Sequence, residues 1–323
     1  MSLSTKISVN APARLHMGFI DLSGSLGRHF GSIGIALNEI NTRLTLTHAD
    51  QRCIAGPSAQ RAGRCLTQLC DALNVSDQVN ITIEAAIPEH VGLGSGTQMA
   101  LAIGTALNAY YGLGLTVRDI ASVMDRGLRS GIGIGVFEHG GLVVDGGRGE
   151  NTITPPVLVH LDVTADWRFI LVFDRRGQGL HGAQEIAAFE ALPAFPQQEA
   201  EHFCYLLLMQ GLPAVAEHDL FKFGEVISHL QSAVGKHFSP AQGGIYASKE
   251  VAKAMDWLAQ QGAAAIGQTS WGPTGFCAVE TAELAQTIVQ QARIEFADLI
   301  NLDFMVVSAN NQKGSSRLVT SSS

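Results

Sequence analysis

Apolar and polar residues alternate along several short stretches of the chain. Lys6 to Ala11 sets Ile7, Val9 and Ala11 against Lys6, Ser8 and Asn10, the period of a half-buried strand. Pro12 is expected to end it, leaving Arg14 to Asp21 as a polar loop. Thr42 to Thr47 alternates around Leu44 and Leu46, and Val79-Ile81-Ile83-Ala85 is a second clear strand. Met99 to Tyr111 is different: nearly every position up to Leu107 is apolar or small, which predicts a helix buried all round. Thr116 and Asp119 resemble a capping pair for a helix carrying Ile120, Val123 and Met124.

Pro155-Pro156 marks a boundary, and Arg168 to Phe173 is a buried-strand run. This divides the chain into a domain over 1–165 and another over 166–312, with a Ser-rich tail, 313–323, expected to be disordered. In the second domain, Phe223, Val226, Ile227 and Leu230 share one helical face, and Val251, Met255 and Leu258 another. Ala263–Gly267, Phe276–Val279 and Leu302–Ser308 read as strands around a helix from Ala282 to Arg293. The mixture is α+β.

Composition narrows the function. Hydrophobic residues at 46 % and charged residues at 15 % describe a globular protein. A net charge of −8, with no Lys/Arg run longer than two, argues against a nucleic-acid binder. The five cysteines form no Cys-x-x-Cys pair and suit a reducing compartment. No apolar run reaches membrane-spanning length and no signal-peptide pattern opens the chain, so a cytoplasmic protein without membrane partner is expected.

Glycine-rich segments at 27–34, 92–98, 131–135 and 267–275 carry the candidate chemistry. Gly92-Leu-Gly94-Ser95-Gly96-Thr97-Gln98 stands between a strand and the buried helix. A glycine-rich turn opening a helix offers unpaired N–H groups and the positive end of the helix dipole, which suits phosphate. Such turns also occur for packing alone, so the loop by itself leaves both readings open. Neither a Walker A motif nor a dinucleotide fingerprint is present.

Together with Ala11-Pro-Ala-Arg14 and Gly267-Gln-Thr-Ser270-Trp271-Gly-Pro-Thr274, this loop resembles the three motifs of the GHMP kinase superfamily, in order and over nearly the whole chain. The resemblance implies a ribosomal protein S5 domain 2-like N-terminal domain and a ferredoxin-like C-terminal domain. Arg14-Leu-His-Met-Gly-Phe-Ile-Asp21, Arg129-Ser-Gly-Ile-Gly133, Phe137-Glu-His-Gly-Gly141 and Ser270-Trp-Gly-Pro-Thr274 are most similar to the β-ribofuranosylaminobenzene 5′-phosphate synthase branch. That branch implies condensation of phosphoribosyl pyrophosphate with 4-hydroxybenzoate or 4-aminobenzoate, releasing carbon dioxide and pyrophosphate, early in methanopterin synthesis. It also implies a homodimer. Kinases of the superfamily carry a second Ser where this chain has Gly96, and many carry an Asp where it has Gly133, so a metal ligand and a base of phosphoryl transfer are missing. Leu128 departs from the synthase branch, where a further basic residue is expected.

The resemblance sets the site expectations. Gly92, Gly94, Ser95, Gly96, Thr97 and Gln98 would cradle phosphate, with Ser130 and Gly131 nearby. Arg14, Arg28 and Arg129 would hold phosphate or the benzoate carboxylate; the alternative for each is a surface ion pair. His139, Glu138 and His16 are the acid/base candidates, against a structural hydrogen bond as the other reading. Ser270 and Trp271 would face the aromatic acid, or Trp271 would plug the core. His181 is a weaker candidate. Mg²⁺ would screen pyrophosphate, with Asp21 and Glu138 as ligands. The rival activities are an ATP-dependent small-molecule kinase and a catalytically silent binding protein of the same fold.

Overall fold

The computed structural model describes residues 3–176, 192–269 and 272–322. His181, Ser270 and Trp271 lie outside them. The chain runs β1 (Leu3–Asp21), β2 (Gly31–His48), β3 (Cys53–Ala55), α1 (Ala59–Leu73), β4 (Val79–Ala85), α2 (Ser95–Tyr111), α3 (Val117–Val123), α4 (Ile132–His139), β5 (Leu142–Asp145) and β6 (Val157–Leu161). After β7 (Arg168–Asp174) come α5 (Gln197–Leu206), α6 (Leu212–Ala216), α7 (Leu220–Gln242), α8 (Lys249–Gln260), β8 (Ala264–Gln268), β9 (Gly275–Val279), α9 (Ala282–Glu295), β10 (Leu302–Ser308) and β11 (Ser315–Ser322).

Two sheets result. The first has the order β11-β1-β2-β4-β3, with β5 on the first half of β2 and β6 beyond it. The second has the order β10-β7-β9-β8, all pairs antiparallel. Numbered along the second domain, that order is 4-1-3-2, with helices between the first and second strands and between the third and fourth. This is the ferredoxin-like arrangement.

Strand β1 corrects the sequence reading. The segment 14–21 is no loop; it continues the strand and pairs with Gly31–Ala36 of β2. Pro12 sits where the ladder shifts register, between Pro12 and Arg14, and a proline without an N–H is tolerated at such a bulge. Polar Arg14 and His16 alternate with Leu15 and Met17, both fully buried. The tail also departs from expectation: Ser315–Ser322 runs antiparallel to Leu3–Asn10 and closes the free edge of β1. The third glycine-rich segment is likewise no loop. Gly133 and Gly135 lie inside α4, where a Cβ would come within 3.1 Å of Thr97 and 2.6 Å of Val143, so these glycines let the helix pack closely.

The first sheet is covered on both faces. Ile7, Val9, Leu44, Leu46 and Ile81 pack against Leu66 and Leu69 of α1 and Met99, Leu101 and Ile103 of α2. Leu15, Met17, Phe19, Ile33 and Ile35 pack instead against Phe223, Ile227 and Leu230 of α7 and Phe169 and Phe276 of the second sheet. One continuous apolar core therefore joins the two domains. The second sheet's other face carries α8 and α9 through Val251, Met255, Leu258, Ile288 and Val289. Thr116 and Asp119 form the capping box that opens α3.

Leu230 lies at the centre of the joint, 2 % exposed and against Gly18. Leu230→Ala is expected to lower unfolding stability by ~2–5 kcal/mol, read as a shift in the denaturant midpoint, with one cooperative transition retained because the domains share a core.

Candidate functional site

Three segments distant in sequence meet at the loop before α2. The Gly92 carbonyl accepts hydrogen bonds from Arg14 Nη1 at 2.6 Å and Thr269 Oγ1 at 2.8 Å. Arg14 also donates its backbone N–H to the Leu93 carbonyl at 3.1 Å, and Thr274 Oγ1 donates to the Val91 carbonyl at 2.7 Å. Gly92 takes φ +79°, and a Cβ there would lie 2.9 Å from both the Gly272 Cα and the Thr269 methyl. Gly94 takes φ +82°, and a Cβ would lie 2.8 Å from Arg14 Cγ. Glycine is demanded at both positions by conformation and by space.

The clamp aims the start of α2 outward. Gly94 is the N-cap and no side chain caps the helix, so the first-turn N–H groups and the dipole's positive end are available to an anion. Arg61 of α1 adds charge there: Nη1 donates to Ser95 Oγ at 3.1 Å while Nη2 pairs with Glu89 at 2.7 Å. A methyl built on Gly96 would lie 3.5 Å from Arg61 Nη1 and 3.8 Å from Arg126 Nη1. The position where kinases place a second Ser thus faces two guanidinium groups. Arg61 belongs to no recognisable motif, and nothing local in the sequence points to it. Thr269 and Thr274 were within reach, because they flank the Gly272-Pro273 turn.

Other expected site residues are engaged elsewhere. Gln98 is fully buried and donates to the Gly133 carbonyl at 2.7 Å, tying α2 to α4 rather than facing a ligand. Arg28 is held by the Gly146 and Gly147 carbonyls at 2.8 and 2.9 Å, and so braces the turn after β5. Arg129 is half-buried ahead of α4. Ser130 and Gly131 serve a residue that the sequence reading missed. Asp145, 1 % exposed, accepts from Ser32 Oγ, from Gly131 N–H at 2.9 Å, from Gly147 N–H at 2.8 Å and from Ser130 Oγ at 3.4 Å. Burial outweighs these four donors and pushes its carboxyl up to about 6.

Glu138 and His139 sit at the opposite end of α4 from Ser130 and Gly131. Glu138 takes a two-pronged contact from Arg118, at 3.2 and 2.9 Å, and the His139 ring lies 5.4 Å from that of His160, tilted against it. Burial lowers the His139 pKa, against a smaller upward pull from Glu138. Asp21 caps the turn that follows it, accepting from Ser23 N–H and Oγ, both at 2.7 Å. These carboxylates do not fit a shared Mg²⁺ site: Arg118 takes both oxygens of Glu138, Ser23 takes Oδ1 of Asp21, and the described residues contain no cluster of three or more His, Cys, Asp or Glu able to hold a metal. His16 is 1 % exposed, and burial, then the Arg14 guanidinium, hold its pKa well below the usual histidine range. A ring so held is neutral at pH 7 and is no general acid there.

A glycine loop clamped between a first-strand arginine and a C-terminal threonine turn, on this two-domain scaffold, defines a GHMP-type protein. The GHMP kinases N terminal domain family matches residues 60–141, and the GHMP kinases C terminal family matches residues 212–298. The chain belongs to the beta-ribofuranosylphenol 5′-phosphate synthase family within that superfamily. It is 34 % identical to the protein of that name from Archaeoglobus fulgidus, over 85 % of this chain and 88 % of the relative. With the Methanocaldococcus jannaschii protein it shares 34 % identity over 69 % of this chain and 76 % of the relative. Among solved structures, Streptococcus pneumoniae phosphomevalonate kinase shares the fold with a TM-score of 0.67 at 14 % identity, over 94 % of this chain and 99 % of that one.

Two outcomes test the site. Arg14→Ala frees the Gly92 carbonyl and the Thr269 hydroxyl, and should cut affinity for a polyphosphate ligand at least ten-fold by calorimetry while leaving the fold intact by circular dichroism. Asp145 binds its proton more readily when folded, so its contribution to stability is full below about pH 4 and lost as pH rises through about 6. Wild-type thermal stability should therefore fall relative to Asp145→Asn across that window and run parallel to it above pH 7; parallel curves throughout would remove the raised carboxyl from the account.

Proposed function

We propose that this chain transfers the phosphoribosyl group of phosphoribosyl pyrophosphate to a 4-substituted benzoate in methanopterin synthesis. The carrying observation is the anion cradle at α2, which gathers N–H groups, Ser95, Arg61 and Arg126, while the position where many kinases of the superfamily carry an Asp is Gly133. Gly133 supports the same reading, because a Cβ there would lie 3.1 Å from the Thr97 methyl, so a side chain at this position would have to displace Thr97. The archaeal relatives are named for a phenol product, which favours 4-hydroxybenzoate over 4-aminobenzoate.

The reaction balances without net proton transfer. The anomeric C–O bond breaks and its electron pair leaves with pyrophosphate. The ring carbon bearing the carboxylate forms the new C–C bond with a π pair of the ring, and the bond from that carbon to the carboxylate then breaks, its electron pair returning to the ring as carbon dioxide leaves. A general acid at His16 or His139 is therefore not required. The protein's task is to neutralise pyrophosphate and hold the ring beneath the anomeric carbon. The Gly92–Thr97 loop takes a phosphate group, and Arg14 stands on the neighbouring strand to meet the second substrate or the 5′-phosphate. Any Mg²⁺ would be brought by the substrate's own pyrophosphate, whose charge it would screen.

All five cysteines are free thiols, in keeping with a cytoplasmic location. No helix among the described residues is long and apolar enough to cross a membrane. A homodimer would find exposed apolar side chains at Tyr205, Leu208 and Met209, each more than 60 % exposed.

The assay mixes the protein with Mg²⁺, phosphoribosyl pyrophosphate and either 4-hydroxybenzoate or 4-aminobenzoate. Carbon dioxide and pyrophosphate should appear in equal amounts, faster with the phenol. Arg61→Ala should raise KM for phosphoribosyl pyrophosphate about ten-fold, the loss expected for one charge-assisted contact. ADP formation from ATP with a hydroxylated substrate, and no release from either benzoate, would establish the kinase reading instead.

A further inference from the structure

His16 presents a polar demand that the described residues do not meet. Both ring nitrogens are buried and have no hydrogen-bond partner among the described residues. A neutral imidazole carries one N–H donor and one lone pair, and leaving such groups unmet in the interior costs about 1–3 kcal/mol each. Every neighbouring amide has other work. Gln231 Nε2 donates to the Met17 carbonyl at 2.6 Å, its oxygen accepts from Gln268 N–H at 2.8 Å, and the Gln268 oxygen accepts from Ala247 N–H at 2.7 Å.

The ring lines a slot between β1 and α7, shared with Phe19, Phe238, Gln231, Gln242 and Gln268. Phe19 lies 4.6 Å from the imidazole centroid and meets Phe238 edge-on at 6.2 Å. The free volume is about 10 Å³, the room that a single water or one polar substituent needs. It is too small for an aromatic ring. His16 also stands two residues from Arg14 on the same face of β1, with no register shift between them. That separation is roughly 7 Å along a strand, about the length of a para-substituted benzoate.

We propose that the void at His16 is the subsite for the para substituent of the aromatic acid, with the ring lying toward Arg14 and its carboxyl-bearing carbon toward the phosphate loop. The inference rests on the phosphoribosyl-transfer reading. A hydroxyl satisfies either ring nitrogen, because it both donates and accepts. An amino group donates but accepts poorly, a bare C–H does neither, and a methoxy group is too large for the void. His16 is then the specificity-determining residue for the second substrate.

The test compares benzoate, 4-hydroxybenzoate, 4-aminobenzoate and 4-methoxybenzoate, by KM and by saturation-transfer NMR binding. Wild type should prefer 4-hydroxybenzoate about ten-fold or more over both benzoate and 4-methoxybenzoate. His16→Ala should raise KM for 4-hydroxybenzoate at least ten-fold, leave KM for phosphoribosyl pyrophosphate unchanged, and bind 4-methoxybenzoate as well as the phenol. His16→Asn should recover part of the preference. A folded His16→Ala with the wild-type order of acids overturns the subsite and leaves the void to a structural water. Should His16→Ala not fold, equal wild-type affinity for the hydroxy and methoxy acids overturns it alone. Failure of wild type to release carbon dioxide with any acid would instead remove the phosphoribosyl-transfer reading.

Discussion

The carbonyl of Gly92 is the point on which the site depends. It accepts from an arginine of the first strand and a threonine near the C-terminal motif, which are 255 residues apart in sequence. A carbonyl held by two donors fixes the peptide plane to which it belongs. That fixes Gly94 as N-cap and the direction in which the first turn of α2 presents its N–H groups. The left-handed backbone at Gly92 and Gly94 has an energetic cost for other residues, and the Arg14 side chain and Gly272 backbone leave no space for a Cβ. Conformation and packing thus demand the same residue for independent reasons.

The clamp only works because the two domains cannot drift apart. Leu15, Met17 and Phe19 of β1 enter the same apolar core as Phe169, Phe223 and Phe276. Arg14 and His16 alternate with these core residues, so the packing that welds the domains also sets the register of the polar pair. Gln231 reinforces it by bridging the Met17 carbonyl of one domain to the Gln268 N–H of the other. Asp145 plays the matching part at the far side of α4, drawing Ser32, Ser130 and two backbone N–H groups around one carboxyl. Helix α4 is therefore placed by buried polar contacts at its start and by close glycine packing along its length.

Much of the fold was legible in periodicity. The buried helix α2, the amphipathic α7 and α8, and the strands β4, β8, β9 and β10 all follow from spacing of apolar residues. The failures have definite causes. Pro12 predicts the end of β1 because proline usually ends a ladder, whereas here it occupies a bulge. The glycines of α4 imitate a phosphate loop, but each fills a contact too tight for a side chain. The Ser-rich tail lacks an apolar pattern and becomes a strand only because the open edge of β1 supplies hydrogen bonds.

By itself, the sequence determined the glycine loop, the Arg14 segment, the C-terminal turn and the absence of a kinase serine and aspartate at Gly96 and Gly133, because these are matters of residue identity at short spacing. It could not determine which polar residues share a surface. Arg61 reaches the loop from another helix, Gln98 and Arg28 turn to backbone carbonyls, and Glu138 is taken by Arg118. Only tertiary structure decides such pairings, because a hydrogen bond is set by distance and direction between atoms, and the chain brings those atoms together only when its core closes.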